Sequence, residues 1–595
     1  MSEKKFLETK PGKYSKVIDN DGIKVETFFR EANHGMSHEI PPEAKDDAGF
    51  ALAASTMAVS IPPLDHHTYE AEPGVTCEQD VEVKMRDGTT IYCDIYRPKD
   101  AENIPVIVSW GFYGKNAGQG IGEWQVMGVT PGSVSKYSKF ESADPMYWCK
   151  QGYAMANVDS RGTVNSEGDI SVLGSLDARD GYDFIEWIAQ QPWCNGKVGL
   201  YGNSGVAMAD WSIAAQCPPH LVCIAPWEGA TDVYRESIFE GGIPAMSFNE
   251  MILRQAMGHN GVDDQVENAL QYPYFTNYWK DKVPDFSKIK IPVYATAGWC
   301  HFHLRGSMMA FRKIHSTKKW LRTHRDFEWP DAYDREHLAD LRLFFDRYLK
   351  DIRNCWESTP SVRLEIMDAY DFDYVKSRGE KSFPLKRTEY KKLYLDAKIL
   401  GLNEELPAEV SSAKYDSAKG VINFDIKFNK DTELTGYMKL HMWLSVEGYD
   451  NADLFVNVQK LDTKGEFLPV SVLGEPHPGN WGKLRVSRRE LDLEQSTDFQ
   501  PILKHQKDER LAPGEIVPVD IEINPTSRFW HKGQSLRVQI AGHYIREGWF
   551  EPLSWDTDNK GDVVIHTGGK YDSYLLIPVI PPKYQDGDIR YGERE

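Results

Sequence analysis

The sequence predicts an α/β fold, a doubly wound parallel sheet with a helical insertion, followed by an all-β jelly-roll sandwich. Three observations lead to this prediction. Strand-like runs alternate with amphipathic helical segments over residues 81–349, which is typical of βαβ units. Between Gly229 and Lys290 the pattern is helical and aromatic, without a clear strand. From about Val362, short alternating runs are separated by Gly, Pro and Asp clusters, which favours a β-sandwich.

Length and composition limit the possible classes of protein. A chain of 595 residues is too long for one hydrophobic core and predicts several domains. Its 41% of hydrophobic residues allows large cores, and its formal net charge of -20 argues against binding to nucleic acid or to anionic membranes. We therefore expect a globular protein without a nucleic-acid or membrane partner. A small-molecule substrate is implied only by the chemical motifs described below.

The cellular compartment is predicted from the N-terminus and the cysteines. The first residues are polar and lack the apolar stretch of a secretory signal, and no window reaches a transmembrane length. The eight cysteines are scattered and form no CxxC pair. Reduced thiols and a cytoplasmic location are therefore expected.

For the α/β half, the sequence predicts a series of elements in chain order. Alternation on both sides of an Asp-Gly turn predicts a hairpin over residues 81–95. Apolar runs predict strands over Ile104–Trp110, Tyr153–Asp159, Leu221–Glu228, Ile291–Trp299 and Lys319–His324. Helical spacing of apolar residues predicts helices over Asp177–Gln190 and His337–Leu349.

The all-β half is predicted from six alternating runs. They cover Lys391–Leu395, Met438–Val446, Leu454–Leu461, Ile516–Ile523, Leu536–Ile540 and Ser573–Val579.

These elements predict five segments. They are an N-terminal extension (1–74), a first part of the sheet (75–228), a helical cap (229–290), a second part of the sheet (291–355) and a jelly-roll domain (360–595). An insertion of this size in an α/β sheet usually covers the carboxyl ends of the strands, where ligands bind.

The segment Lys197–Ala207 carries the strongest chemical signal. An apolar run ends at Ser204, which stands between Gly202-Asn203 and Gly205, and small residues follow at helical spacing. This strand–serine–helix arrangement is typical of the nucleophile elbow of an α/β-hydrolase, although Val206 stands where the last glycine of G-x-S-x-G is expected.

A serine nucleophile needs a histidine base after a late strand. His324 ends the strand Lys319–His324 and fits this position. His301 and His303 are rivals because they also follow a strand. Their His-x-His spacing also fits a metal pair, but no third ligand is evident, so no metal site is predicted.

Several ordered motifs resemble one family. They are Met85-Arg86-Asp87-Gly88 with Asp94-Ile95-Tyr96-Arg97-Pro98, Asp159-Ser160-Arg161-Gly162 with Ser166-Glu167-Gly168, Trp193 to Gly199, Gly202-Asn203-Ser204, Ala225-Pro226 to Asp232-Val233-Tyr234-Arg235, Pro513-Gly514-Glu515, and Pro525-Thr526-Ser527 through Lys532-Gly533. The chain resembles, from about Val75 to Pro578, the serine hydrolases that include cocaine esterase, α-amino-acid ester hydrolases, glutaryl-cephalosporin acylase and X-prolyl dipeptidyl-peptidase.

The resemblance implies roles for single residues. Ser204 matches the nucleophile and His324 matches the base. Tyr113 matches a tyrosine whose hydroxyl helps to form the oxyanion hole, and the backbone N–H of Gly205 would be the second donor. An aromatic residue often follows the family's serine, so Gly205 is expected to leave open space beside the nucleophile.

The charged residues Asp159, Arg161 and Asp180 are expected to be structural.

The triad acid does not carry over from the family. The family's Gly-Trp-x-Asp segment reads Gly298-Trp299-Cys300-His301 here, so a histidine stands at the acid position. Glu228, which ends the strand after the elbow helix, is the preferred substitute. Glu328, four residues after His324, is the alternative.

Together these features predict a serine hydrolase that cleaves an ester or amide bond without a cofactor. A carboxylesterase is favoured, because no residue is assigned to hold the free amine that an X-prolyl dipeptidyl-peptidase substrate carries. Acylases of α-amino-acid esters or β-lactams, and a non-catalytic hydrolase-like binding protein, remain alternatives. The sequence leaves the oligomeric state open, a homo-oligomer included.

Overall fold

The computed structural model describes residues 13–34, 61–117, 128–545 and 554–582. The strands of the described residues are β1 Lys13–Asn20, β2 Ile23–Glu31, β3 Thr68–Glu72, β4 Val75–Lys84, β5 Thr90–Pro98, β6 Ile104–Gly111, β7 Ala154–Asp159, β8 Cys194–Asn203, β9 Leu221–Trp227, β10 Gly261–Asp263, β11 Val293–Gly298, β12 Lys319–His324, β13 Val362–Ala369, β14 Phe372–Glu380, β15 Glu389–Asp396, β16 Gly401–Asn403, β17 Ser411–Asp416, β18 Val421–Lys427, β19 Thr432–Glu447, β20 Asp453–Leu461, β21 Val470–Val472, β22 Glu475–His477, β23 Asn480–Arg485, β24 Val517–Trp530, β25 Ser535–Ala541, β26 Asp562–Thr567 and β27 Tyr574–Ile580.

The α-helices of the described residues are α1 Pro145–Lys150, α2 Ser175–Ala189, α3 Ser204–Ala215, α4 Met246–Gln255, α5 Gln265–Gln271, α6 Asn277–Asp281, α7 Leu304–Lys313, α8 Glu328–Ala332 and α9 Arg335–Leu349. Single turns of 3₁₀- or π-helix lie at Tyr234–Ile238, Glu240–Gly242, Phe286–Lys288, Trp356–Ser358 and Val486–Arg488. Among the described residues, no helix has the length and apolar character that a bilayer crossing requires.

The chain divides into two compact units. The first contains the described residues up to 117 together with Val134–Cys223 and Asn249–Lys288. The second contains the described residues 128–133, Ile224–Phe248 and the described residues from Ile289 onwards. The domain boundaries predicted from the sequence remain a prediction.

The first unit is built on a mixed sheet. Strands β3, β4, β5 and β7 pair antiparallel in that order, and β6 pairs parallel with both β7 and β8. Helix α1 lies between β6 and β7 along the chain, and α2 lies between β7 and β8. The predicted hairpin, strands and helix of this part are confirmed, because their apolar positions follow the periods of two and 3.6 residues that buried strands and helices require.

A short strand was missed between Gly229 and Lys290. The region is mostly helical, as predicted, but β10 at Gly261–Asp263 pairs antiparallel with β2 and extends the β1–β2 hairpin to three strands. Three residues are too few to show an alternating pattern, so this pairing is not visible in the sequence.

The second unit contains parallel and antiparallel strands. Strands β9, β11, β12 and β13 pair parallel in that order, and β14 closes antiparallel on β13. All six predicted strands of the all-β half are confirmed, as β15, β19, β20, β24, β25 and β27. Strand β19 pairs antiparallel with β24, β26 and β27, while β25 pairs with β18 and β20. Apolar side chains from both groups of strands form one buried cluster, as a sandwich requires.

Candidate active site

Ser204 lies at the sharp turn between β8 and α3. Its backbone φ is 51°, a left-handed value that non-glycine residues rarely adopt, and its side chain is almost buried. Such strain costs on the order of 1–3 kcal/mol and persists only where the surroundings enforce it. The strand–serine–helix geometry predicted from the sequence is confirmed.

Small residues on both sides of Ser204 allow this turn. A Cβ atom on Gly202 would overlap Val206 and lie 2.7 Å from the backbone nitrogen of Ala207. A Cβ atom on Gly205 would overlap the hydroxyl of Tyr113 and lie 2.8 Å from its Cε2. Both positions therefore require glycine in this arrangement.

Tyr113 fills the space that was expected to be open beside the nucleophile. Its hydroxyl and ring edge stand directly against Gly205. The ring is held by Phe112, with a centroid separation of 4.5 Å, and by the edge of Phe140 at 5.0 Å. The prediction of free space next to Ser204 is wrong, because the tyrosine takes the volume that a side chain at position 205 would occupy.

Glu141 holds the backbone on both sides of Ser204, a role that no sequence pattern indicates. Its carbonyl oxygen accepts the Asn203 N–H at 2.9 Å. Its carboxylate oxygen Oε2 accepts the Gly205 N–H, also at 2.9 Å. The proposed oxyanion donor therefore already has an anionic acceptor in this structure.

Arg161 and Asp180 form a buried ion pair that holds loops of the first unit. The guanidinium binds both carboxylate oxygens of Asp180, at 2.6 and 2.8 Å, and reaches Asp87 and Thr89 as well. Asp159 accepts the Lys115 N–H at 2.5 Å, and burial raises its pKa to about 6. These contacts fit the structural role expected for all three charged residues.

His324 lies in a buried group of carboxylates in the second unit. Its Nε2 is 2.5 Å from Oε1 of Glu228, and its Nδ1 is 3.0 Å from the carbonyl oxygen of Asp326. Oδ2 of Asp331 is 3.5 Å from Nε2. Both ring nitrogens therefore face oxygen acceptors, which requires that both carry a proton.

The charges around His324 stabilise its cationic form. Burial disfavours the cation, but the negative charges of Asp331 and Glu228 outweigh the effect of burial and raise the pKa of His324 to about 9. The Glu228 carboxylate is itself buried, and the histidine charge together with the Gly298 N–H at 2.9 Å holds its pKa below the usual value. Asp331 also binds Arg322 through two contacts of 2.6 Å. An imidazolium of this kind has no lone pair to accept a proton.

His301 lies between two glutamates in the same unit. Its Nε2 is 3.2 Å from Oε1 of Glu328, and its Nδ1 is 3.7 Å from Oε2 of Glu228. The His303 N–H donates to Nδ1 at 3.2 Å, which places the proton of the neutral ring on Nε2. Within the described part of the chain, Nε2 of His301 and Oε2 of Glu328 are buried and make no well-aligned hydrogen bond.

The predicted residues thus fall into two groups. Ser204, Gly205 and Tyr113 are brought together in the first unit, and His324, Glu228, Glu328 and His301 are brought together in the second. Asp331, like Glu141, was missed. Asp331 could not be identified from the sequence, because no sequence pattern indicates that it faces His324. No group of at least three His, Cys, Asp or Glu in the described residues is arranged to hold a metal ion.

Two family models match the chain. The model of the X-Pro dipeptidyl-peptidase (S15 family) matches residues 87–265. The model of the X-Pro dipeptidyl-peptidase C-terminal non-catalytic domain matches residues 354–576. The two matches cover the elbow and the all-β region, in that order.

Known proteins are similar over most of the chain. A CocE/NonD family hydrolase from Staphylococcus aureus is 36% identical with a TM-score of 0.81, covering 85% of this chain and 94% of its own. Cocaine esterase from Rhodococcus sp. is 24% identical over 84% of this chain and 98% of its own. An aminopeptidase from a Thaumarchaeota archaeon, 14% identical, has a TM-score of 0.64 over 88% of this chain and 99% of its own, which shows the fold alone.

Proposed function

The chain belongs to the CocE/NonD family of serine hydrolases, with an α/β-hydrolase fold and a C-terminal all-β domain, and we propose that Ser204 is its nucleophile. The observation that carries this proposal is the φ of 51° at Ser204 between β8 and α3. A left-handed serine held between two obligatory glycines is the geometry that presents a nucleophile at the end of a strand.

The base in this proposal is His301, and not His324 as the sequence predicts. His324 already donates from both nitrogens, so it cannot accept the serine proton without first losing one of its own. His301 keeps a lone pair on Nδ1, whose partner is a long N–H contact from His303. Once this contact opens, Nδ1 can take up a proton, whereas His324 must first lose one of its own.

Two carboxylates would stabilise His301 once it is charged. Glu328 faces Nε2 of His301, and Glu228 lies on the side of its Nδ1. The imidazolium formed during the reaction would therefore have a negative charge on each side. In a serine triad the acid orients the imidazole and stabilises this cation. We assign that role chiefly to Glu328, with Glu228 shared between His301 and His324.

The reaction follows from these roles. The Ser204 oxygen attacks the substrate carbonyl carbon as its proton passes to the histidine base, which gives a tetrahedral oxyanion. The bond to the leaving group breaks, the proton passes to that group, and an acyl-serine ester remains. Water then attacks this ester through the same steps, which releases the acid and restores Ser204. The Tyr113 hydroxyl and the Gly205 N–H are the proposed donors to the oxyanion.

An ester is the proposed substrate. The similar cocaine esterase is named for ester cleavage, and this chain offers no assigned residue for the free amine of an X-prolyl peptide. Dipeptidyl-peptidase activity and cleavage of α-amino-acid esters or β-lactams are the other possibilities within the same chemistry. The mechanism uses only side chains and the backbone of this chain, with water as the second substrate.

A fluorophosphonate probe and a substrate panel test the proposal. We expect stoichiometric labelling of the wild type and none of Ser204→Ala, whose melting temperature should stay close to that of the wild type. p-Nitrophenyl esters should be turned over faster than aminoacyl-prolyl anilides or β-lactams. A folded wild type that neither labels nor turns over any of these would instead support a non-catalytic binding protein.

A further inference from the structure

Glu141 forms a clamp around the nucleophile. It accepts the N–H before Ser204 with its carbonyl oxygen and the N–H after Ser204 with its carboxylate, each at 2.9 Å. To do so it adopts a φ of 59° and is almost fully buried. The two contacts differ in kind, because a rotation of the side chain would break the carboxylate contact without breaking the backbone contact.

The carboxylate contact takes up the N–H that is proposed to bind the oxyanion. Donors to an oxyanion stand 2.7–3.1 Å from the oxygen they stabilise, and Oε2 of Glu141 lies within that range of the Gly205 nitrogen. We propose that Glu141 occupies the oxyanion donor Gly205 in the resting enzyme, so that the substrate oxygen and Glu141 compete for one N–H. This inference rests on the proposed function of Ser204.

The surroundings prevent Gly205 from avoiding this competition. Tyr113 packs so closely against Gly205 that even a Cβ atom would overlap its hydroxyl, which leaves little room for the backbone of Gly205 to shift. The carbonyl contact from Glu141 to Asn203 remains when the carboxylate leaves, and it keeps the elbow in place. The clamp can therefore open at the donor without loss of the serine geometry.

A buried cation lies close to the carboxylate. Lys139 is two residues before Glu141, and its ammonium contacts the carbonyl oxygens of Ser109 and Val158 at 3.3 and 3.5 Å. Burial lowers the pKa of Lys139 to about 8, against the charges of Asp159, Asp94 and, more weakly, Glu141.

The competition predicts faster turnover when the carboxylate is removed. Loss of one oxyanion donor lowers kcat by about 10²–10³, and that range is the upper limit of what freeing the donor can restore. Glu141→Gln keeps an oxygen acceptor but removes its negative charge, which weakens its hydrogen bond to the Gly205 N–H. We therefore expect this variant to raise kcat for a p-nitrophenyl ester about tenfold with little change in KM, because the donor acts mainly on the transition state. The Ki of phenylboronic acid, whose serine adduct carries an oxyanion, should fall by a similar factor.

Two further variants make the test specific. Glu141→Asp keeps the charge but shortens the reach, so it should resemble Glu141→Gln. Glu167→Gln is the matched control, because the exposed Glu167 also accepts a backbone N–H, from Thr90 at 2.7 Å, and lies outside the proposed machinery. It should leave kcat and Ki unchanged.

The alternative is that the carboxylate contact only supports the elbow. Glu141→Gln and Glu141→Asp would then lower kcat or leave it unchanged, with no tightening of boronic acid binding, and that result would overturn the proposal. If Glu141→Gln does not fold, Glu141→Asp alone decides between the two outcomes. Failure of the proposed function is distinct, since the wild type would then not label with fluorophosphonate.

Discussion

Replacement of His324 by glutamine should destabilise the fold while leaving the nucleophile reactive. In the structure His324 is a buried cation held by Glu228 at 2.5 Å and by Asp331 at 3.5 Å. Its neighbours raise its pKa from 6.5 to about 9. The sequence alone assigns this residue to catalysis, so the variant separates two different roles.

The size of the effect follows from the pKa. A rise from 6.5 to about 9 corresponds to about 3 kcal/mol, because each pKa unit represents about 1.4 kcal/mol of preferential protonation. Breaking a buried pair typically costs about 3–5 kcal/mol. We expect the lower end, since Asp331 keeps its two contacts with Arg322 and Glu228 keeps the Gly298 N–H.

The pH dependence has a defined sign. Because the folded-state pKa is raised, this stabilisation is fully present below pH 6.5 and is lost as the pH rises through about 9. Urea unfolding followed by tryptophan fluorescence should therefore separate the wild type from His324→Gln by about 3 kcal/mol at pH 6, and by much less at pH 10.

Activity supplies the second half of the test. His324→Gln should keep fluorophosphonate labelling of Ser204 within about tenfold of the wild type at pH 7, whereas His301→Gln should lose it with little change in the unfolding free energy. If His324→Gln unfolds like the wild type at pH 6 but no longer labels, His324 is the base that the sequence predicts, and our reasoning about its two bonded nitrogens is refuted.

Two further predictions concern groups that act on the transition state. Tyr113→Phe should lower kcat by about ten- to a thousandfold with little change in KM, since its hydroxyl lies against Gly205 and acts on the oxyanion; an unchanged kcat in steady-state ester hydrolysis would reduce Tyr113 to packing. Glu328→Gln should lower kcat by up to about 10⁴, and by more than Glu228→Gln does, because Glu328 faces His301 at 3.2 Å; the reverse order would return the role of triad acid to Glu228.

The sequence by itself determined most of the elements and the elbow at Ser204. The strands Lys319–His324 and Leu454–Leu461 and the elbow at Ser204 follow from local patterns, because burial on one face repeats every two or 3.6 residues and a tight turn needs small neighbours. These features depend on residues that are close in the chain. They therefore remain readable without any knowledge of the fold.

Only the tertiary structure decided which groups meet, and through which atoms. Glu228 and His324 are 96 residues apart, and Glu141 and Gly205 are 64 apart. Sequence patterns indicated that Glu228 was placed to reach His324, but not that it would meet Nε2 while a carbonyl oxygen takes Nδ1. That detail depends on rotamers and on burial, which arise only when distant segments pack together, and it decides whether a histidine is a base or a fixed cation.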